Sequence, residues 1–310
     1  MKNCIKLLFI FTNFIVFSQK DKEINVNLNL NVIKDDKIQV VINPPKLSSK
    51  ETIYHIPKIV PGTYSEDDYG RFIEDFKAFD KKGRLLTVTK IDDNSWKINN
   101  AKKIASITYW VNDTYDIEET HEIFSPSGTN IDKDNFVLNL HGFVGYFKEI
   151  QENPYILNIN KPENLFAATA LDDINESTSI DVFKCNRYFD VIDNPILYST
   201  DAPIVFKVED MDIILSVYSP NKIVNAEKLR PDMEKMMKAQ KKFLGNINDN
   251  KRYAILLYMS DMSKPNAKGF GALEHHKSTV VVMPESLPYE ELSQSMTDVV
   301  SHEFFHIVSP

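Results

Sequence analysis

Cysteine is nearly absent: the 310 residues contain two, Cys4 and Cys185. Cys4 falls in a segment laid out like a secretory signal peptide. Lys2 and Lys6 give a positive start, Leu7 to Phe17 is largely apolar, and the small residues Val16 and Ser18 precede Gln19. Loss of residues 1–18 leaves Cys185 alone, so the mature chain forms no internal disulfide. It must be held by its core and by any metal it binds. Cys185 reads as a buried apolar residue rather than a nucleophile. Positive charge is also short, with 36 Lys+Arg against 44 Asp+Glu and a net charge of −8. That excludes the basic face a nucleic-acid partner wants. Long apolar runs are missing too. The run at 7–17 is about half the ~20 residues of a membrane span, and no other segment could cross. Cys4 precedes that run, so it is misplaced for a lipid-anchored mature terminus. The expectation is an exported protein, periplasmic or secreted, with no stable membrane anchor after cleavage. There is no nucleophile elbow for Ser/His/Asp catalysis, no internal repeat and no low-complexity linker.

A composition of 43% hydrophobic and 26% charged residues suits a globular protein with a real core, and the length suggests two domains. Ile24, Val26, Leu28, Leu30 and Val32 alternate with Asn25, Asn27, Asn29 and Asn31, which predicts a strand with one buried face. Lys34 to Lys37 is a turn and Ile38 to Ile42 runs back, making a hairpin. Similar punctuation at Asp80–Gly83 and Asp92–Asn94, with strands at Ile104–Val111 and Phe136–Leu140, predicts an antiparallel β-rich front half. After Tyr218 the texture changes. Asn225 caps a helix carrying Leu229, Met233, Met236, Met237, Phe243 and Leu244, and Gly245 stops it. Strands follow at Tyr253–Met259 and Thr279–Met283, and a helix runs from about Leu292 to the end. The fold class is therefore α+β, divided as 1–18 signal peptide, 19–218 β-rich domain and 219–310 an α+β back part.

Two segments carry chemistry. His302-Glu303-Phe304-Phe305-His306 places two imidazoles one helical turn apart on one face. They can bind one metal ion as neutral nitrogen ligands, with Glu303 as general base. The plain alternative is a helix with two exposed histidines. Met296, Val299 and Val300 precede the motif at helical spacing, so a helix is what the sequence wants there. Gly271-Ala272-Leu273-Glu274-His275 lies upstream, just before a strand. Gly271 permits close approach of another backbone, such as a substrate peptide. Glu274 can pair with a free α-amine, or be a strand-edge glutamate facing water. Glu66-Asp67-Asp68 reads as a solvated turn rather than a calcium site, and His55, His121 and His141 read as structural.

Together the two segments resemble the glycyl aminopeptidases of peptidase family M61. Gly271 to His275 with Ser278 matches their Gly-x-Leu-Glu-His-x-x-Ser signature, and the pair is similar to the wider gluzincin aminopeptidases. Ile56 to Tyr64 resembles the Pro-Gly-x-Tyr segment of that family's N-terminal domain, and Asp68 to Phe72 continues the likeness. The resemblance implies Zn2+, peptide substrates, a thermolysin-like catalytic domain and removal of small N-terminal residues. It assigns His302 and His306 as metal ligands and Glu303 as general base. It makes Glu274 the amine anchor, with Gly271 and Ala272 beside it as substrate-binding residues. The family's third zinc ligand is a later glutamate, beyond Pro310. The corresponding expectation is that the chain as given is not a competent peptidase, with Phe304 or Phe305 left exposed. The rival reading is an exported, non-catalytic β-rich binding module whose motif is vestigial.

Overall fold

The computed structural model describes residues 22–116, 123–245 and 250–308. The signal segment, the expected cleavage point and His121 lie outside the described residues. The strands are β1 (Ile24–Lys34), β2 (Lys37–Asn43), β3 (Glu51–His55), β4 (Ile73–Asp80), β5 (Val88–Asp92), β6 (Ser95–Asn99), β7 (Ile104–Asn112), β8 (Asn130–Ile131), β9 (Asn135–Leu138) and β10 (Tyr146–Phe147). They continue with β11 (Tyr155–Asn160), β12 (Phe166–Ala168), β13 (Ile180–Cys185), β14 (Ile196–Ser199), β15 (Ile204–Val208), β16 (Met211–Tyr218), β17 (Arg252–Ser260), β18 (Gly271–Glu274) and β19 (Ser278–Pro284). The helices are α1 (Leu140–Phe143), α2 (Tyr188–Ile192), α3 (Ala226–Leu244) and α4 (Tyr289–Phe305).

The alternation of β1 does what period two demands. Ile24, Val26, Leu28 and Leu30 are buried, and the asparagines between them face outward or the rim. Asp35 and Asp36 turn the hairpin with φ of 50° and 55°, the conformation a two-residue turn requires and aspartate tolerates. Val32 departs from the alternation and is 52% exposed. The pairing with β2 shifts register between Leu28 and Ile33, and a shift of one residue sends a side chain to the other face. The strands form a six-stranded sheet in the order β13-β11-β1-β2-β7-β4 and four-stranded sheets β10-β3-β6-β5 and β12-β14-β9-β8. Pairing is mostly antiparallel, although β1 lies parallel to β11. Cys185 is buried in this core, and burial pushes its thiol up to about 12.

The pairing direction changes in the last, five-stranded sheet, β15-β16-β17-β19-β18, where β16, β17 and β19 run parallel. Buried on both faces, β17 reads as a continuous apolar run, as a covered parallel strand should. Ile255 and Leu257 pack toward α3 and α4, whereas Ala254 and Leu256 pack toward β9, β12 and β14. β15 and β16 belong to this sheet, which therefore takes in the chain from Ile204 onward. Asn225 caps α3 through its side chain, which accepts from the Lys228 N–H at 2.9 Å, and Gly245 ends it with φ 61°. Helix α4 starts at Tyr289, one turn before the expected Leu292, where Tyr289 and Ser293 bond to Lys228 and Asp232 of α3.

Leu292, Met296, Val300 and Phe304 recur every four residues and form the buried stripe of α4. Phe304 is fully buried, its ring 5.0 Å from that of Tyr253 and edge-on, while Phe305 is half-buried against Phe243. The expected exposure of Phe304 is thus not found: the sheet beneath α4 covers it. Phe304→Ala should cost about 3–5 kcal/mol by opening a cavity, to be read as a lowered chemical-denaturation midpoint; a change within ~0.5 kcal/mol, the usual range for surface substitutions, would contradict this packing.

Candidate active site

The last turn of α4 and the edge strand β18 bring four of the expected residues together. His302 and His306 face each other, with their Nε2 atoms 3.4 Å apart and rings edge to face. On its other side His306 Nε2 lies 2.6 Å from Oε2 of Glu274. Glu274, Glu303 and His306 offer ligand atoms within 4.8 Å of one another, the one such group of three among the described residues. His302 is not part of that trio and joins through His306. Partial burial raises the Glu303 pKa above the ordinary carboxylate value and Glu274 adds to the rise, against the opposing pull of His302 and His306.

These side chains line a cleft of about 310 Å³. Ala272 lines it from β18, and Phe124 and Gly62-Thr63-Tyr64 close it from the N-terminal half. Gly271 does not line it. The close approach that this glycine permits is that of the Phe124 ring: a Cβ there would stand 2.9 Å from Phe124 Cζ.

The loop from Lys58 to Phe72 was legible only as a resemblance, and it supplies a wall of the cleft. It is tied down from within. Asp67 is buried, accepts from Ser65 Oγ at 2.7 Å and from Tyr69 Oη at 3.0 Å, and sends its backbone N–H to the Lys58 carbonyl. The acidic turn is therefore not wholly solvated: Glu66 is exposed, but Asp67 is the loop's internal brace. Tyr64, at the rim, is 97% exposed and has a φ of 55°, a strained backbone for an aromatic residue. A glycine followed two residues later by an aromatic was the available signal. His141 is buried and structural, with Nε2 2.9 Å from the Ser127 carbonyl.

The fold is α+β, with an edge strand set beside a helix whose last turn carries His-Glu-x-x-His. An aminopeptidase N family protein from Idiomarina loihiensis superposes with a TM-score of 0.78 at 18% identity, over 92% of this chain and 47% of that one. Yeast LTA4 hydrolase in complex with bestatin superposes with a TM-score of 0.52 at 13% identity, over 94% of this chain and 44% of that one. At such identities the likeness is one of fold, and the chain spans about half the length of these neighbours or less. No curated protein matches the sequence. Residues 25–200 match the Peptidase M61 N-terminal domain, and the chain belongs to that family.

Gly62 decides how closely the two halves meet. Its φ is +87°, and an added Cβ would stand 2.9 Å from Leu273 Cδ1 and 3.2 Å from Glu274 Oε1. Gly62→Ala should lower stability by about 1–2 kcal/mol from backbone strain and displace Glu274 as well. Gly83→Ala, also at positive φ but in open space, is the control for strain alone. Equal effects of the two variants on melting temperature and turnover would show that the Gly62 contact does not matter.

Proposed function

We propose that this chain carries the metal-binding helix and the substrate strand of an exported zinc aminopeptidase, which removes N-terminal residues from peptides. The observation that supports this reading is the convergence of His302, His306, Glu303 and Glu274 in one cleft beside an edge strand. The residues fit zinc. Two nitrogens bound to a tetrahedral zinc at about 2.0–2.1 Å stand about 3.4 Å apart, and the two Nε2 atoms are separated by 3.4 Å. When bound, zinc polarises the scissile carbonyl and lowers the pKa of water. Catalytic zinc takes three protein ligands. The resemblance assigns the third to a glutamate outside this sequence and leaves Glu274 to the substrate.

Glu303 is the general base. It takes a proton from the attacking water and delivers it to the nitrogen of the leaving amine. A carboxylate whose pKa is raised by burial suits both halves of that task, because it accepts a proton more readily than an exposed one. Glu274 receives the α-ammonium of the peptide. Its Oε2 already sits against a nitrogen, that of His306, so its carboxylate points into the cleft. Strand β18 is the outer strand of its sheet, and among the described residues no strand pairs with its other edge. An extended peptide can add to such an edge through main-chain hydrogen bonds, which sets the scissile bond near the histidines and the amine near Glu274. Among the described residues no helix is long and apolar enough to cross a membrane.

In the protein with a complete catalytic domain, Glu303→Gln should keep its zinc by metal analysis and lose ~10²–10⁴-fold in kcat. Undiminished turnover with zinc bound would rule out the role of Glu303. Glu274→Ala should impair cleavage of peptides with a free amine far more than hydrolysis of their N-acetylated forms. An equal loss on both would make Glu274 structural and would remove the exopeptidase label.

A further inference from the structure

A second cavity, of about 340 Å³, lies behind Glu274. Glu274 and His306 line both it and the cleft, so that pair, in contact at 2.6 Å, is the wall the two spaces share. Its remaining walls combine four apolar residues with the polar Asp193, His275 and His276. Val60 and Pro61 come from the N-terminal loop, and Phe189 and Ile192 from α2. His275 also lines it, is only 6% exposed, and its buried Nε2 has no hydrogen-bond partner.

The placement limits what this cavity can receive. With the amine at Glu274 and the scissile carbonyl at His302 and His306, the peptide leaves along β18 through the cleft. The side chain of its first residue springs from the carbon that bears the amine held at Glu274, beside the wall that the cavity shares. We propose that this cavity binds the first side chain of the substrate and selects peptides beginning with a large apolar residue, such as leucine, phenylalanine or tyrosine. The inference rests on the aminopeptidase reading above, and it departs from the small first residues that the resemblance implies. A methyl group or a hydrogen would leave most of 340 Å³ unfilled, whereas that volume is typical of small-molecule sites, about 300–1,000 Å³. Each methylene taken from water contributes about fourfold in affinity, so a filled cavity discriminates strongly against glycine.

The test compares kcat/KM for glycyl, alanyl, leucyl and phenylalanyl aminocoumarins on the zinc-loaded protein with a complete catalytic domain. It is joined by calorimetric binding of glycine hydroxamate and phenylalanine hydroxamate, which reads the cavity without turnover. Leucyl and phenylalanyl substrates should exceed glycyl by at least about tenfold, and the phenylalanine hydroxamate should bind more tightly by a similar factor. Ile192→Trp, which fills the cavity from a half-buried wall position, should lower the phenylalanyl-to-glycyl ratio by about tenfold or more. Glycyl and alanyl substrates cleaved at least as well as the larger ones, with equal binding of the two hydroxamates, would overturn the inference and leave the aminopeptidase reading standing. Absence of cleavage and of hydroxamate binding across the whole series would overturn that reading, and the inference with it.

Discussion

The contact between Gly62 and the Leu273–Glu274 edge makes one site out of two halves. Leu273 is fully enclosed and packs within the core of the N-terminal sheets, although its strand belongs to the last sheet. Because strand side chains alternate, fixing Leu273 in one core presents Ala272 and Glu274 to the other side, where the cleft lies. Glycine at 62 lets the loop backbone come within van der Waals reach of both residues. A larger residue there would hold the halves apart and leave the histidine pair facing a half-open groove.

Helix α4 solves the corresponding problem on the metal side with its 3.6-residue period. The stripe Leu292–Met296–Val300–Phe304 binds it to the sheet and to α3. Burial of side chains of this kind contributes roughly 1.5–3 kcal/mol each before entropy is counted. His302, Glu303 and His306 lie off that stripe and remain partly accessible. Anchoring and chemistry are thus separated by helical phase, and the rigid stripe fixes the imidazoles at a spacing that a metal can use.

How much of this was legible in sequence follows from how local each feature is. The hairpin of β1 and β2, the Asn225 cap, the Gly245 stop and the buried run of β17 are set by neighbours within a few residues, and their signals were read as they stand. Val32 was misplaced because a register shift depends on the partner strand. The membership of β15 and β16 in the last sheet was not legible, because they carry the same local texture whichever sheet they join. Glu303 and the two histidines were legible because their spacing is itself the signal. The wall formed by Gly62, Thr63, Tyr64 and Phe124 was not, since these residues lie far from β18 in sequence and meet it only through tertiary packing. Asp67 escaped for a similar reason. A run of acids looks solvated until a serine and a tyrosine of the same loop are seen to close on one member of it.

The electrostatics of the cleft explain why these pieces must be held so firmly. Burial raises the proton affinity of Glu303, His302 and His306 oppose that rise, and nearby Glu274 adds a smaller push upward. Left to relax, two carboxylates at such separation would move apart or share a proton. Three constraints prevent it: the Leu273 anchor behind Glu274, the buried stripe beneath Glu303, and the loop braced by Asp67 in front. The constraints thus hold two carboxylates and two imidazoles along one cleft, the arrangement on which the proposed roles of the histidines and Glu274 rest.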